Sequence, residues 1–141
     1  MGDKIVIDGS ILEMFLPTNP KNDQINKIFQ NRDFPVKVKY RLARLKDRID
    51  REMRVYAEKK QEIVNENAEK DDDGNIKTDE NRNIVLKDVG KFSREMTELI
   101  SEKIELDIDK IEIKLDDLPD DFSADDINFL MNFAEIKEGD E

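Results

Sequence analysis

Between Pro35 and Gly74 the chain contains neither glycine nor a further proline, and this uninterrupted run limits the fold more than any other feature. Within it Val38, Leu42, Leu45, Ile49, Tyr56 and Ile63 fall on a three-four spacing, with Met53 beside the charged gap at Glu52. That period lines one side of an α-helix with apolar side chains. Pro35 suits the first helical turn, where its missing amide has no intrahelical partner to lose. The spacing predicts a helix to about Asn67, a rod on the order of 50 Å long at about 1.5 Å per residue. A domain of this size needs less than that to span itself, so part of the seam of Leu42, Leu45, Ile49, Tyr56 and Ile63 is expected to meet a partner or a second copy.

Shorter signals surround this rod. Lys4 to Ile7 reads as a strand ended by Asp8-Gly9, and Ser10-Ile-Leu-Glu13 as a capping box opening a short helix. Ile25, Ile28 and Phe29 recur at helical spacing, as do Val89, Phe92, Met96, Leu99 and Ile100 between Asp88 and Ser101. The runs Ile104–Ile108 and Ile111–Leu115 alternate strictly but differ in phase by one, which predicts strand, turn, strand around Asp109-Lys110. Ser123-Ala-Asp-Asp126 resembles a capping box with Asp for Glu, ahead of a last helix lined by Leu130, Met131 and Phe133. Lys137 to Glu141 reads as a disordered acidic tail, leaving residues 1–136 as a single domain. The fold class is α+β: one long central helix with shorter helices and short β-hairpins.

The segment from Glu69 to Glu80, EKDDDGNIKTDE, comes close to a calcium-binding EF-hand loop. Asp71 and Asp73 match two ligand positions, Gly74 the sharp bend and Glu80 the bidentate end. The first ligand position holds Glu69 instead of a short Asp, and Asn81-Arg-Asn-Ile-Val85 follows where a helix should begin. Asp73-Gly-Asn-Ile-Lys77 is echoed eight residues later by Asn81-Arg-Asn-Ile-Val85. The rhythm predicts a β-hairpin with its positive-φ turn at Asp73-Gly74, Ile76 and Ile84 on paired strands, and a loop closed by Asp79 to Asn83.

Among the 141 residues there is no cysteine and no histidine, which removes disulfides, thiolate chemistry, the commonest general base and the usual zinc ligands. No bound cofactor is expected. Asp107 with Glu112 and Lys114 supplies an acid followed by Glu-x-Lys on a strand, the ingredients of a magnesium-dependent nuclease but with poor spacing. No apolar run approaches membrane-spanning length.

With 42% charged residues and a net charge of −11, the distribution of charge is informative. Residues 1–70 carry a net +3 and residues 71–141 a net −14. Lys37, Arg41, Arg44, Arg48 and Arg51 follow a four-three-four-three spacing that forms one cationic stripe beside the apolar seam. Helical pairing, as of Asp47 with Arg51 and Asp50 with Arg54, and the protein's own acidic half account for part of it. The stripe and the seam together (Lys37, Arg41, Arg44, Arg48, Arg51, Leu42, Leu45, Ile49, Tyr56) are the candidate partner-binding residues. A pI near 4.6 argues against nucleic acid as the partner.

Pro-Val-Lys-Val-Lys-Tyr-Arg-Leu-Ala (35–43) opening the long helix, Tyr56, Glu-Lys-Asp-Asp-Asp-Gly-Asn (69–75) and Ser-Ala-Asp-Asp-Ile (123–127) follow in an order that resembles a group of small uncharacterised proteins of tailed phages and prophages of Gram-positive hosts. The resemblance implies a phage product with no catalytic residues to carry over. It points to a non-catalytic protein acting through protein-protein contact or self-association, in the host cell cytoplasm or with the virion. The alternative is an acidic DNA-mimic inhibitor of a host DNA-binding protein.

Overall fold

The computed structural model describes residues 3–138, and the chain is α+β around one long helix. In order, the elements are β1 (Lys4–Asp8), α1 (Gly9–Met14), α2 (Asn22–Phe29), α3 (Val36–Asn67), α4 (Val89–Ser101), β2 (Lys103–Asp109), β3 (Ile111–Lys114), α5 (Ala124–Leu130) and β4 (Ala134–Lys137). Residues 139–141 of the expected acidic tail lie outside the described residues, while Lys137 belongs to β4.

Helix α3 has the predicted limits within a residue, with Pro35 as its N-cap. Its apolar stripe is the centre of the core: Leu42, Leu45 and Ile49 are fully buried, and Val38 and Tyr56 nearly so. Full burial of such side chains stabilises by about 1.5–3 kcal/mol each. Helices α1, α2 and α4 and strands β2 and β3 all pack against α3. At one end of the core Phe15, Phe29, Phe129 and Phe133 meet at centroid distances of 5.4–6.3 Å, mostly edge to face.

A polar contact fixes α1 on α3. The Tyr56 hydroxyl donates to Glu13 Oε2 at 3.0 Å, and Lys60 Nζ donates to both Glu13 oxygens at 2.8 and 2.9 Å. Burial, followed by the bond to Glu13, holds the Tyr56 hydroxyl well above its ordinary value. Glu13 is therefore committed to α3, and the expected Ser10–Glu13 capping box does not form. Asp8 caps the helix instead: its carboxylate accepts from the amides of Ser10 and Ile11 at 3.0 and 3.3 Å and from the Ser10 hydroxyl.

The expected hairpin of Ile104–Ile108 with Ile111–Leu115 is also corrected. β2 pairs antiparallel with β1, with Ile7 opposite Ile104, whereas β3 pairs in parallel with β4, with Ile113 opposite Ile136. The adjacent amides of Lys110 and Ile111 go to different partners, the carbonyls of Asp3 at 2.8 Å and Phe133 at 3.0 Å. The change of phase thus hands the chain from one ribbon to the next without reversing it, so that Leu106, Ile111 and Ile113 are all buried. Two segments remote in sequence supply the pairing that a local turn was expected to supply.

The eight-residue echo between α3 and α4 is structural. Asp71 accepts from the amides of Asp73 and Asn75, both at 2.9 Å, and Asp79 accepts from those of Asn81 and Asn83 at 2.8 and 2.9 Å. Gly74 and Arg82 occupy equivalent positive-φ positions, at 84° and 65°. Glu69, Lys77 and Val85, eight residues apart, close a ring of backbone bonds. Lys77 N–H donates to Glu69, Val85 N–H to Lys77 and Glu69 N–H to Val85, at 2.8, 3.0 and 2.8 Å. The turns form where they are expected, but the paired strands do not: the pairing is limited to isolated bridges, Lys70 with Ile76 and Thr78 with Ile84. Asp71, the best match to a calcium ligand, spends a carboxylate oxygen on its own turn, and the next helix starts only at Val89.

Two contacts hold the ends of the fold. The Ser123 capping box forms as read, and Asp126 also accepts from Gln24 Nε2 and Lys27 Nζ, both at 2.9 Å, tying α5 to α2. Burial alone would raise the Asp126 carboxyl, but the Ser123 amide, Gln24 and Lys27 outweigh it and hold the group well below the usual carboxylate range. At the other end Gly9 lies so close to α4 that a Cβ would stand 2.6 Å from the Ile100 Cα and 2.8 Å from the Leu99 carbonyl oxygen. Gly9→Ala should cost about 1–3 kcal/mol, because backbone cannot rotate aside; a urea midpoint equal to that of the native chain would refute this contact. The folded Asp126 value lies below the unfolded one of 3.8, so its contribution is complete above that pH and is lost as the pH falls below it. Asp126→Asn should cost about 1–2 kcal/mol at neutral pH, and in acid titrations followed by circular dichroism its deficit should shrink below about pH 4.

Candidate functional site

The cationic stripe lies on α3 beside the buried seam. Lys37, Arg41, Arg44 and Arg51 are exposed and Arg48 is half-buried. The far part of the stripe is satisfied along the helix: Arg51 meets Asp47 at 2.8 Å and Arg48 meets Glu52 at 3.6 Å. Asp50 pairs with Lys46 at 2.9 Å, while Arg54 reaches only the Asp50 carbonyl. Exposed pairs of this kind contribute about 0–1 kcal/mol each. The near part differs. Among the described residues no carboxylate comes within 4.0 Å of Lys37, Arg41 or Arg44, and Arg44 stands over the Tyr40 ring at 5.9 Å.

These three cations edge a groove between the first half of α3 and the strands. One part, about 430 Å³, is lined by Arg41, Arg44, Lys4, Asp107, Asp109, Glu112 and Glu135 among others. The adjoining part, about 900 Å³, is lined by Lys37 and Arg41 on the helix and by Glu112, Lys114, Glu135 and Lys137 on β3 and β4. The parallel register sets Glu112 beside Glu135 and Lys114 beside Lys137. Like charges placed side by side repel. Arg41, which lines both parts together with the two glutamates, supplies opposite charge to the first pair. Lys4 bonds Asp109 at 3.1 Å and lies 3.7 Å from Asp107; the bond to Asp109 raises its pKa.

The candidate residues therefore separate into two sets. Leu42, Leu45, Ile49 and Tyr56 are covered by the chain's own elements, which corrects the expectation that part of the seam stands open to a partner. Lys37, Arg41 and Arg44 remain on the surface as a group. The acid set on the strands is also divided: Asp107 and Glu112 line the first part of the groove, while Lys114 lines only the second. Among the described residues no cluster of three or more carboxylates is placed to hold a metal ion.

Of the strand wall, the sequence pattern predicts β3 but not β4, where a last helix lined by Leu130, Met131 and Phe133 and a tail from Lys137 are expected instead. A signal was present. Ile111-Glu-Ile-Lys114 and Ala134-Glu-Ile-Lys137 share one pattern, and these two segments pair residue for residue.

Among the described residues no helix is long and apolar enough to cross a membrane. Comparison of the chain with protein-family models, with curated proteins and with solved structures finds no match.

Proposed function

We propose that the chain is a non-catalytic interaction protein of a tailed phage, and that it makes its contact through the cationic stripe of α3. The phage origin rests on the resemblance of the motifs at 35–43, 69–75 and 123–127. The observation that supports the contact is the state of Lys37, Arg41 and Arg44. They are exposed, grouped at one groove and without a carboxylate within 4.0 Å among the described residues, in a chain of net charge −11. A cationic patch against an acidic background steers an anionic surface to one place and one orientation. The acidic background itself disfavours nucleic acid as that surface.

Affinity capture from phage-infected cells tests the reading, comparing the tagged native chain with Lys37→Glu/Arg41→Glu/Arg44→Glu. These positions are exposed, so the variant is expected to fold, which circular dichroism checks. The native chain should retain a protein, or an untagged copy of itself, that the variant loses. Identical bound sets would sink the proposal. Capture that survives the variant but is lost on neutralising the exposed Asp72 and Asp73 would favour the alternative, an acidic DNA-mimic inhibitor of a host DNA-binding protein.

A further inference from the structure

The stripe does not end at Arg51. Continued at the same spacing it passes Val55 and runs through Glu58 and Glu62 to Asn65, with Glu66 beside it, all exposed. Lys37, Arg44, Arg51 and Glu58 are each seven residues apart, as are Arg41, Arg48, Val55 and Glu62. Seven residues is about two turns, so both series share a single exposed face of the helix. Along these two series the face is basic before Val55 and acidic after it, and the exposed Lys59, 3.5 Å from Glu62, also lies in the second half. Val55, at 53% exposure, marks the change.

This order of charge runs against the helix dipole, which favours acids near the N-terminus and bases near the C-terminus. The first turn of α3 holds no acid and the last turn no base. The layout therefore does not serve the stability of the isolated helix. It does serve contact between two copies. We infer that the exposed face of α3 is a self-complementary surface that pairs antiparallel with α3 of a second copy of this chain, about a two-fold axis between Arg51 and Val55.

In that arrangement Arg44 faces Glu62 of the second copy, Arg48 faces Glu58, and Arg51 meets Val55. Symmetry repeats each pair. The contact closes on itself as a dimer and does not propagate as a filament. From residue 44 to 62 it spans about 27 Å, well within the 32 residues of α3. Parallel pairing would instead set Arg against Arg and Glu against Glu. The antiparallel helices also oppose their dipoles. Arg44, Glu58 and Glu66 have no ion pair within 4.0 Å among the described residues, while Arg48, Arg51 and Glu62 hold exposed or half-exposed pairs on their own helix. The surface is polar, so the dimer is weak and forms at high protein concentration.

The inference rests on the reading of the stripe as a contact surface and names its occupant. Analytical ultracentrifugation at low ionic strength and high protein concentration tests it with charge swaps. The native chain should dimerise. Arg44→Glu and Glu62→Arg should each be monomeric, since each sets like charges against each other twice. Mixed in equal amounts they should form a 1:1 dimer, because every swapped position then meets its opposite. The double variant Arg44→Glu/Glu62→Arg, which keeps the net charge of −11, should dimerise like the native chain. A native chain that stays monomeric, single variants that dimerise normally, or a mixture and double variant that fail to associate would each overturn the inference. If the native chain is monomeric while the triple charge-reversal variant still loses a captured protein, the stripe serves a different protein, and the interaction reading survives without the dimer.

Discussion

The burial of one helical stripe organises the molecule. Val38, Leu42, Leu45, Ile49 and Tyr56 offer a continuous apolar surface along α3; α1, α2, α4, β2 and β3 are laid against that helix, and β1, β4 and α5 join the core through β2, β3 and α2. The neighbouring elements are short, with strands of four to seven residues and flanking helices of six to thirteen. Isolated pieces of that length are marginal in water. They persist because α3 gives them a common surface, and polar links then fix their positions: Glu13 to Tyr56 and Lys60, Asn67 to Glu95, and Asp126 to Gln24 and Lys27.

Covering the seam leaves α3 with an outer face that is mostly charged, interrupted by the exposed Val36, Tyr40 and Val55. Had the seam stayed open, association would have been driven by apolar burial and would have been largely indifferent to salt. With the seam closed, the proposed contact rests on charge. Charge sets orientation and choice of partner more than raw affinity. The groove beside Lys37, Arg41 and Arg44 shows the same principle within the chain, where parallel pairing of β3 with β4 aligns like charges and Arg41 offsets the glutamate pair.

Local signals in the sequence were legible wherever the interaction that fixes them is itself local. The limits of α3 followed from the Pro35 to Gly74 interval, the turns at Asp71 and Asp79 from an eight-residue echo, and the Ser123 cap from a four-residue motif. The cap of α1 was misread for a related reason. Ser10 and Glu13 have the right spacing, but a buried tyrosine and a lysine some forty-five residues away compete for Glu13, and the neighbouring Asp8 supplies the cap instead.

The sequence by itself determined the long helix, its apolar and cationic stripes, the repeated turn and the overall α+β character, because periodicity and turn chemistry act over a few residues. Tertiary structure alone decided which strands pair, since β1 and β4 reach β2 and β3 from opposite ends of the chain, and pairing over such distances leaves no local trace beyond a shared pattern. It also decided that the seam is closed from Val38 to Tyr56 and that Lys37, Arg41 and Arg44 have no carboxylate within 4.0 Å among the described residues while Arg48 and Arg51 do. Whether a helical residue is core or contact surface depends on what the rest of the chain lays over it, and spacing along one helix carries no record of that.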